Sequence, residues 1–377
     1  MKFFKKILPI LLLLVFIISC STNQNSQIEK LEKISEKYIV DSRLEVFDVK
    51  EDGNTVEVRT SNADVYNEIS KLENIKVTLL PEKSLEKQYG VINLSAANIR
   101  SERRHGSEML TQAILGTPVK IFDKKGSWYK IQTPDKYMGW IDDYGIHPMT
   151  EKEMKSWNQS DKIIFMEHTG FVYTEENCQG DVVSDIVLGN MLKHLETSEN
   201  FFKVLLPDGR TGYVEKSKAK TEKDWLDNIE LTGESLVEMS KEFMGIPYLW
   251  GGTSAKAIDC SGFMKTVYWM HGIILQRDAS QQVLWGEEIS MKDDYKLLQK
   301  GDLIFFGRSD ERITHVGMHI GNKEFIHEAG RTKINSLDPT ADNYSGYRAS
   351  SIRKTRRIIG SENAEGISTY KTNEFYK

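Results

Sequence analysis

The stretch PYLWGGTSAKAIDCSGFMKTVYWMHG, Pro247 to Gly272, decides how the last third of the chain folds. Pro247 and the Gly251-Gly252 pair keep its first half out of regular structure. From Cys260 onward the residues are mostly apolar or small, and Asp259 just before them suits a helix N-cap. Cys260 therefore falls in the first turn of a helix. There, unsatisfied N–H groups and the helix dipole favour a thiolate and lower the thiol pKa. A cysteine so placed becomes a strong nucleophile when a base stands beside it. Without a base it is an ordinary buried residue.

Downstream, GDLIFFG (301–307), THVGMHI (314–320), EFIHEA (324–329) and SIRKTRRII (351–359) read as strands. Upstream, ESLVEMSKEFM (234–244) reads as a helix closed by Gly245 and Pro247, and TEKDWLDNIE (221–230) as a linker. A helix layer ahead of an antiparallel sheet predicts an α+β domain over 230–365. His315 and His327 lie on consecutive strands, and the midpoint between them falls in the Gly321-Asn322 turn. A hairpin folded there sets the two rings opposite each other, so that one takes the thiol proton while the other orients it. Two other readings fit the same residues. The histidines could ligate a metal, with His319 as the third ligand by parity, or they could be half-buried structural residues. His105, His147, His168, His194 and His271 fit no pattern.

Ahead of this domain the chain repeats itself. GTPVKIFDKKGSWYKIQTPDKYMGWI (116–141) aligns without gaps to GNMLKHLETSENFFKVLLPDGRTGYV (189–214), with Gly116/Gly189, Pro134/Pro207, Asp135/Asp208 and Gly139/Gly212 identical. Short strands joined by Pro-Asp and Gly turns predict two small β-barrels, about 86–150 and 158–220. Residues 28–85 combine a helical period at 28, 31, 34 and 38 with a strand pair around Asp52-Gly53-Asn54, a helix near 64–72 and a strand near 76–80. They read as a small α+β packing or spacing unit without chemistry.

Composition bounds the rest. At 377 residues, with 39% hydrophobic, 28% charged and 10% aromatic residues, the chain fills several packed cores and is not a disordered one. The net charge of −5 falls further when a leader carrying Lys2, Lys5 and Lys6 is removed, which speaks against nucleic acid as a partner. The basic run Arg353, Lys354, Arg356 and Arg357 reads as a solvated strand face. Three cysteines, 20, 178 and 260, cannot build a disulfide framework. MKFFKK followed by the apolar stretch Ile7–Ile18 is too short to span a bilayer of roughly 30 Å and reads as a secretory signal over 1–19. Ile17-Ile18-Ser19-Cys20 resembles a bacterial lipobox, which makes Cys20 a lipid anchor and 20–27 a tether. An exported lipoprotein is the expectation, and Ser21 points by analogy to an outer membrane.

Tyr248-Leu249-Trp250-Gly251-Gly252, Asp259-Cys260-Ser261-Gly262, His315-Val316-Gly317 and His327, in that order, resemble the motifs of the NlpC-type cell-wall cysteine peptidases. The barrels resemble bacterial SH3-like domains. With YGVINLSAANIRSE (89–102) and EMLTQAILG (108–116), the whole mature chain looks like the dipeptidyl-peptidase VI branch, the γ-D-glutamyl-L-diamino acid endopeptidases. The resemblance implies a papain-like peptidase fold behind two SH3-like barrels. It also implies cleavage of murein tri- and tetrapeptides that have a free N-terminal L-Ala, releasing L-Ala-γ-D-Glu. Carried over by position, Cys260 is the nucleophile, His315 the base and His327 the orienting residue. Tyr248 lines the site, and Asp259, Ser261 and Asp278 meet substrate. Relatives have Ser where this chain has Ala279, so a backbone group or Ser280 takes that part. Glu108 and Tyr137 match the residues of the first barrel that meet the L-Ala amine.

Three other functions share these motifs: hydrolysis of intact cross-linked wall, wall binding without catalysis, and acyl transfer on the same fold. No metal or organic cofactor is implied. Cys260→Ala is expected to keep the parent's circular dichroism and melting curve while losing turnover, and a chelator is expected to leave turnover unchanged. Wild-type turnover by the variant would remove the thiol from the mechanism, and strict zinc dependence would restore the metal reading.

Overall fold

The computed structural model describes residues 27–377 apart from Gly53, Asn54, Lys292 and Asp293. The leader, Cys20 and the polar stretch through Ser26 lie outside the described residues, as does the centre of the expected Gly53-Asn54 turn. The chain divides into two compact units, Met1–Leu85 and Glu86–Lys377.

In the first unit a helix covers 27–38 and strands Phe47–Asp52 and Thr55–Thr60 pair antiparallel. The helix Ala63–Ile69 is capped by Asn62, whose side chain accepts from the N–H of Asp64 and Val65. It carries the chain over to Ile75–Leu79, which lies parallel to Thr55–Thr60. Leu31, Val56, Val58, Val65 and Ile69 form the core between helices and sheet.

The second unit opens with two seven-stranded antiparallel sheets. In the first the strand order is Ile146–Met149, Tyr89–Ile92, Pro118–Lys125, Trp128–Gln132, Met138–Asp142, Ala96–Arg100, Met109–Ile114. The second runs Ala219–Thr221, Lys162–Phe165, Met191–Thr197, Phe201–Leu205, Thr211–Glu215, Thr169–Tyr173, Val182–Val187. Every strand of one starts 73 residues before its counterpart, so the repeat read over 116–141 extends to the whole fold. Gly116 and Gly189, equivalent in the repeat, both have positive φ, at 87° and 80°. A Cβ on Gly116 would lie 2.1 Å from the Met191 carbonyl oxygen, and one on Gly189 would lie 2.6 Å from Nε1 of Trp269. The repeated glycine thus packs barrel to barrel in one copy and barrel to peptidase helix in the other.

The remaining chain places the helix Cys260–Met270 against a six-stranded antiparallel sheet. Its order is Glu287–Glu288, Ile352–Arg357, Leu303–Ser309, Arg312–Gly321, Glu324–Ala329, Arg331–Ser336. Phe263, Met264, Val267 and Tyr268 of the helix pack on Val316, Met318 and Ile326 of the sheet, and Ile164, Leu188 and Met191 of the second barrel join the same core.

Three expectations need correction here. The expected linker contains the helix Glu222–Asp227, because Trp225 is drawn into the core and its Nε1–H donates to the Met270 carbonyl at 3.0 Å. The domain does not stop at 365. Ile367–Thr369 pairs with Ile273–Leu275, Phe375 is buried, and Glu374 forms an ion pair with Lys120 of the first barrel at 2.7 Å. The basic run is not only a solvated face, since Arg357 is paired at 2.8 Å with the carboxylate of buried Asp302.

Candidate active site

Asp259 caps the Cys260 helix, its Oδ1 accepting from the Gly262 N–H at 2.7 Å. Its Oδ2 accepts from the Gly251 N–H at 3.0 Å, which ties the Tyr248–Gly252 loop to the same carboxylate. Arg277 holds both oxygens, through Nη1 at 3.1 Å and Nη2 at 2.5 Å, and donates from Nη1 to Ser261 Oγ at 3.0 Å. Its Nε donates to Thr111 Oγ1 of the first barrel at 2.8 Å. Asp259 and Ser261 are both 5% exposed, so their side chains are engaged inside this network rather than presented to a ligand.

The hairpin carrying the histidines differs from expectation by one step. Asn322 and Lys323 both have positive φ, at 51° and 58°, and form a two-residue turn that pairs Gly321 with Glu324. A bulge between His319 and Gly321 then sets Gly317, not His315, opposite His327. The shift is two residues, so both rings remain on one face and meet diagonally. His315 Nε2 is 2.8 Å from His327 Nδ1, and His327 Nε2 is 2.9 Å from Asn335 Oδ1. Asn335 Nδ2 donates to the Asn343 carbonyl, which fixes Oδ1 as an acceptor and puts the His327 proton on Nε2. His327 Nδ1 then accepts from His315 Nε2–H, and Nδ1 of His315 is left as the basic nitrogen. The Val316 N–H, one residue on, hydrogen-bonds the Cys260 sulfur, which brings the thiol on its helix to the strand that carries His315.

Sequence reasoning missed Asn335. The strand Arg331–Ser336 alternates charged with uncharged residues and was not expected, yet it pairs Lys333 with His327 and thereby sets Asn335 diagonal to that ring. A second hairpin folded at Gly330, with Lys333 opposite His327, brings Asn335 to the ring. His319, the possible third metal ligand, is buried and lies instead by Asp302 and the backbone of Glu324. Among the described residues no group of three or more His, Cys, Asp or Glu is placed to hold a metal ion.

The first barrel meets the peptidase at the Tyr248–Gly252 loop. Trp250 Nε1–H donates to Glu108 Oε1 at 2.9 Å, and the Tyr137 hydroxyl donates to Asp278 Oδ2 at 3.0 Å. A Cβ on Gly251 would lie 2.5 Å from the Met109 carbonyl oxygen, so a glycine is required for this approach. Ala279, 7% exposed, packs into the core, and Ser280 is half-buried. Cys178 is a half-buried free thiol in the second barrel, away from these groups.

A profile of the NlpC/P60 family matches residues 245–354, and one of the bacterial SH3 domain matches residues 95–146. A γ-D-glutamyl-L-lysine dipeptidyl-peptidase of Bacillus cereus is 32% identical over 260 residues, 64% of this chain and 73% of that protein. The chain belongs to the NlpC/P60 family. Dipeptidyl-peptidase 6 of Lysinibacillus sphaericus is 25% identical over 64% of this chain and 89% of its own length. The crystal structure of an NlpC/P60 family protein from Bacillus cereus superposes with a TM-score of 0.62 at 25% identity, covering 71% of this chain and 99% of that one.

As an NlpC/P60 cysteine peptidase, the enzyme holds its candidate nucleophile, Cys260, in a site that opposes charge. Burial, reinforced by the Asp259 carboxylate, pushes the Cys260 thiol up to about 12, outweighing Val316 N–H, Arg277 and Ser261 N–H. This reverses the expectation from the helix N-terminus alone: the dipole is present, but desolvation is the larger effect. Burial first, then Arg348, His327 and Lys333, holds His315 well below the usual imidazole range, and burial brings His327 down to about 4. Burial and the neighbouring Cys260 and Asp259 push the Tyr248 phenol up, so it stays a donor beside the sulfur.

Burial thus favours a neutral thiol and a neutral imidazole in the resting site. With a raised thiol pKa the thiolate fraction grows about tenfold per pH unit. Alkylation of Cys260 by iodoacetamide, scored by peptide mass spectrometry to separate Cys178, is expected to accelerate throughout about pH 6 to 9. A rate already level at the acid end would show a preformed thiolate–imidazolium pair.

Proposed function

We propose that this enzyme is a γ-D-glutamyl-L-diamino acid endopeptidase, acting on murein tri- and tetrapeptides with a free N-terminal L-Ala and releasing L-Ala-γ-D-Glu. The observation that carries this reading is the barrel wall: Glu108 and Tyr137 reach the cleft through Trp250 and Asp278. Among the described residues no cation pairs with the Glu108 carboxylate, which suits a substrate ammonium. An N-acylated peptide offers no charge there and leaves a carboxylate to be desolvated without a partner. The naming of two relatives as γ-D-glutamyl-L-lysine dipeptidyl-peptidases supports the same substrate class.

In the proposed step the Cys260 sulfur attacks the γ-carbonyl of D-Glu as His315 Nδ1 takes the thiol proton. The C–N bond breaks, His315 returns the proton to the leaving amine, and a thioester remains on Cys260. Water, activated by the same imidazole, hydrolyses the thioester. His327 and Asn335 hold the ring and its tautomer, and the Ser261 N–H together with the Tyr248 hydroxyl faces the developing oxyanion.

Hydrolysis of L-Ala-γ-D-Glu-diaminopimelate beside its N-acetylated twin tests the reading. The free amine is expected to be preferred by about 100-fold in kcat/KM, and Glu108→Gln to erase most of that preference. Equal cleavage of both peptides would assign the enzyme to intact wall instead.

We also infer that the chain is exported and anchored through a lipid on Cys20, from the lipobox-like Ile17–Cys20 and the polar tether after it. Metabolic labelling with an alkyne fatty acid is expected to mark the parent and not Cys20→Ser. Equal labelling of both would refute the anchor.

A further inference from the structure

Arg348 lies beside the ring cluster that holds the two histidines. It lies on the short helix Gly346–Ser351, half-buried, with its guanidinium carbon 5.4 Å from the centre of the Phe306 ring. Phe306 packs on His315 at 5.7 Å and on Phe325 at 5.3 Å, and Phe325 packs on His327 at 4.8 Å. The other face of Arg348 is flanked at 5.4 Å by Tyr347, which is 74% exposed. Among the described residues the guanidinium makes no ion pair and no hydrogen bond, in contrast to Arg277, which is saturated by Asp259.

The cation is close enough to matter chemically. Its charge depresses protonation of both His315 and His327, as does that of Lys333 on the neighbouring strand, and the Cys260 thiolate in turn favours the charged guanidinium. A half-desolvated, unpaired arginine beside the base opposes the imidazolium that forms as His315 takes the thiol proton. An anion bound to Arg348 removes that opposition during the chemical step.

On the endopeptidase reading the leaving amine lies by His315, to which Arg348 is linked through the Phe306 ring. Arg277 acts on Cys260 and Tyr248 and adjoins Asp278, which meets Tyr137 of the barrel wall; on the same reading the acyl portion lies there. Arg348 acts on Cys260 and the two histidines. The amine that departs must sit beside His315 to receive its proton. In an α-amino acid that nitrogen is one carbon away from the carboxyl group, so a cation beside His315 meets a carboxylate there.

We propose that Arg348 is the anchor of a leaving-group subsite that binds a carboxylate of the diamino acid released by cleavage. The inference rests on the γ-D-glutamyl endopeptidase reading above. Two carboxylates carry the same chemistry: the α-carboxylate of a C-terminal diamino acid, and the second carboxylate on the side chain of diaminopimelate. A planar guanidinium grips either through paired N–H donors, which a lysine ammonium does not reproduce.

The experiment compares kcat/KM of the full chain, as the parent and as Arg348→Met and Arg348→Lys, on three peptides. L-Ala-γ-D-Glu-L-Lys carries only the α-carboxylate, its C-terminal amide carries neither, and the α-amidated diaminopimelate peptide carries only the side-chain carboxylate. The parent is expected to prefer at least one acid over the Lys amide by about 10- to 100-fold. Arg348→Met should bring that ratio near one, and Arg348→Lys should restore part of it. The peptide whose advantage vanishes identifies the carboxylate bound. A parent that cleaves the peptides without preferring an acid, or an Arg348→Met variant that loses equally on all three, overturns the subsite and leaves the endopeptidase standing. A parent that cleaves none overturns the endopeptidase reading, and the subsite with it.

Discussion

The Asp259–Arg277 pair is the interaction on which the rest of the site depends. One carboxylate caps the nucleophile's helix, fastens the Tyr248–Gly252 loop through Gly251, and neutralises an arginine that is 1% exposed. That arginine in turn reaches Ser261 and, across the domain boundary, Thr111 of the first barrel. A buried ion pair contributes little net stability by itself, because desolvation of both charges offsets their attraction. Its value here is geometric. Three segments are held to one pair of oxygens and a fourth, at Thr111, to the arginine, and removing either partner strands the other charge in the interior.

The same burial determines how the chemistry must run. A dry site raises the thiol and lowers both imidazoles, and so disfavours charge on either member of the Cys260–His315 pair at rest. Charge separation is confined to the moment of attack, when the Ser261 and Val316 N–H groups and the Tyr248 phenol are already in place. The relay from His315 through His327 to Asn335 fixes which ring nitrogen of His315 is left basic, and it does so with neutral partners throughout. Arg348, like Lys333, works against protonation of the histidines in the free enzyme, and an anion bound to Arg348 would offset its part.

Much of this was legible in the sequence where local chemistry and fold agree. The Asp259-Cys260 helix start, the two histidine strands and the 73-residue repeat each follow from short-range patterns, and the structure carries the repeat through all seven strands. What was not legible depended on partners far along the chain. Arg277 had no assigned role in the sequence because its partner Asp259 is 18 residues away, and nothing local shows that a charged side chain is buried. Asn335 was hidden in a strand whose Arg331 and Lys333 gave it a solvated look. The segment after 365 is polar and short, yet its Ile367, Tyr370 and Phe375 are buried against elements that only the fold brings near. The helix dipole at Cys260 was read correctly, but its effect on the thiol was not, since desolvation depends on burial that sequence does not report.

The central claim is that Asp259 and Arg277 act as one unit. A double-mutant cycle with Asp259→Asn and Arg277→Met, read by urea denaturation, tests it directly. Each single substitution is expected to cost about 3 kcal/mol or more, and the double variant to cost less than the sum by more than about 1.5 kcal/mol. Losses that add to within about 0.5 kcal/mol would show that the two residues act independently, and would contradict the account.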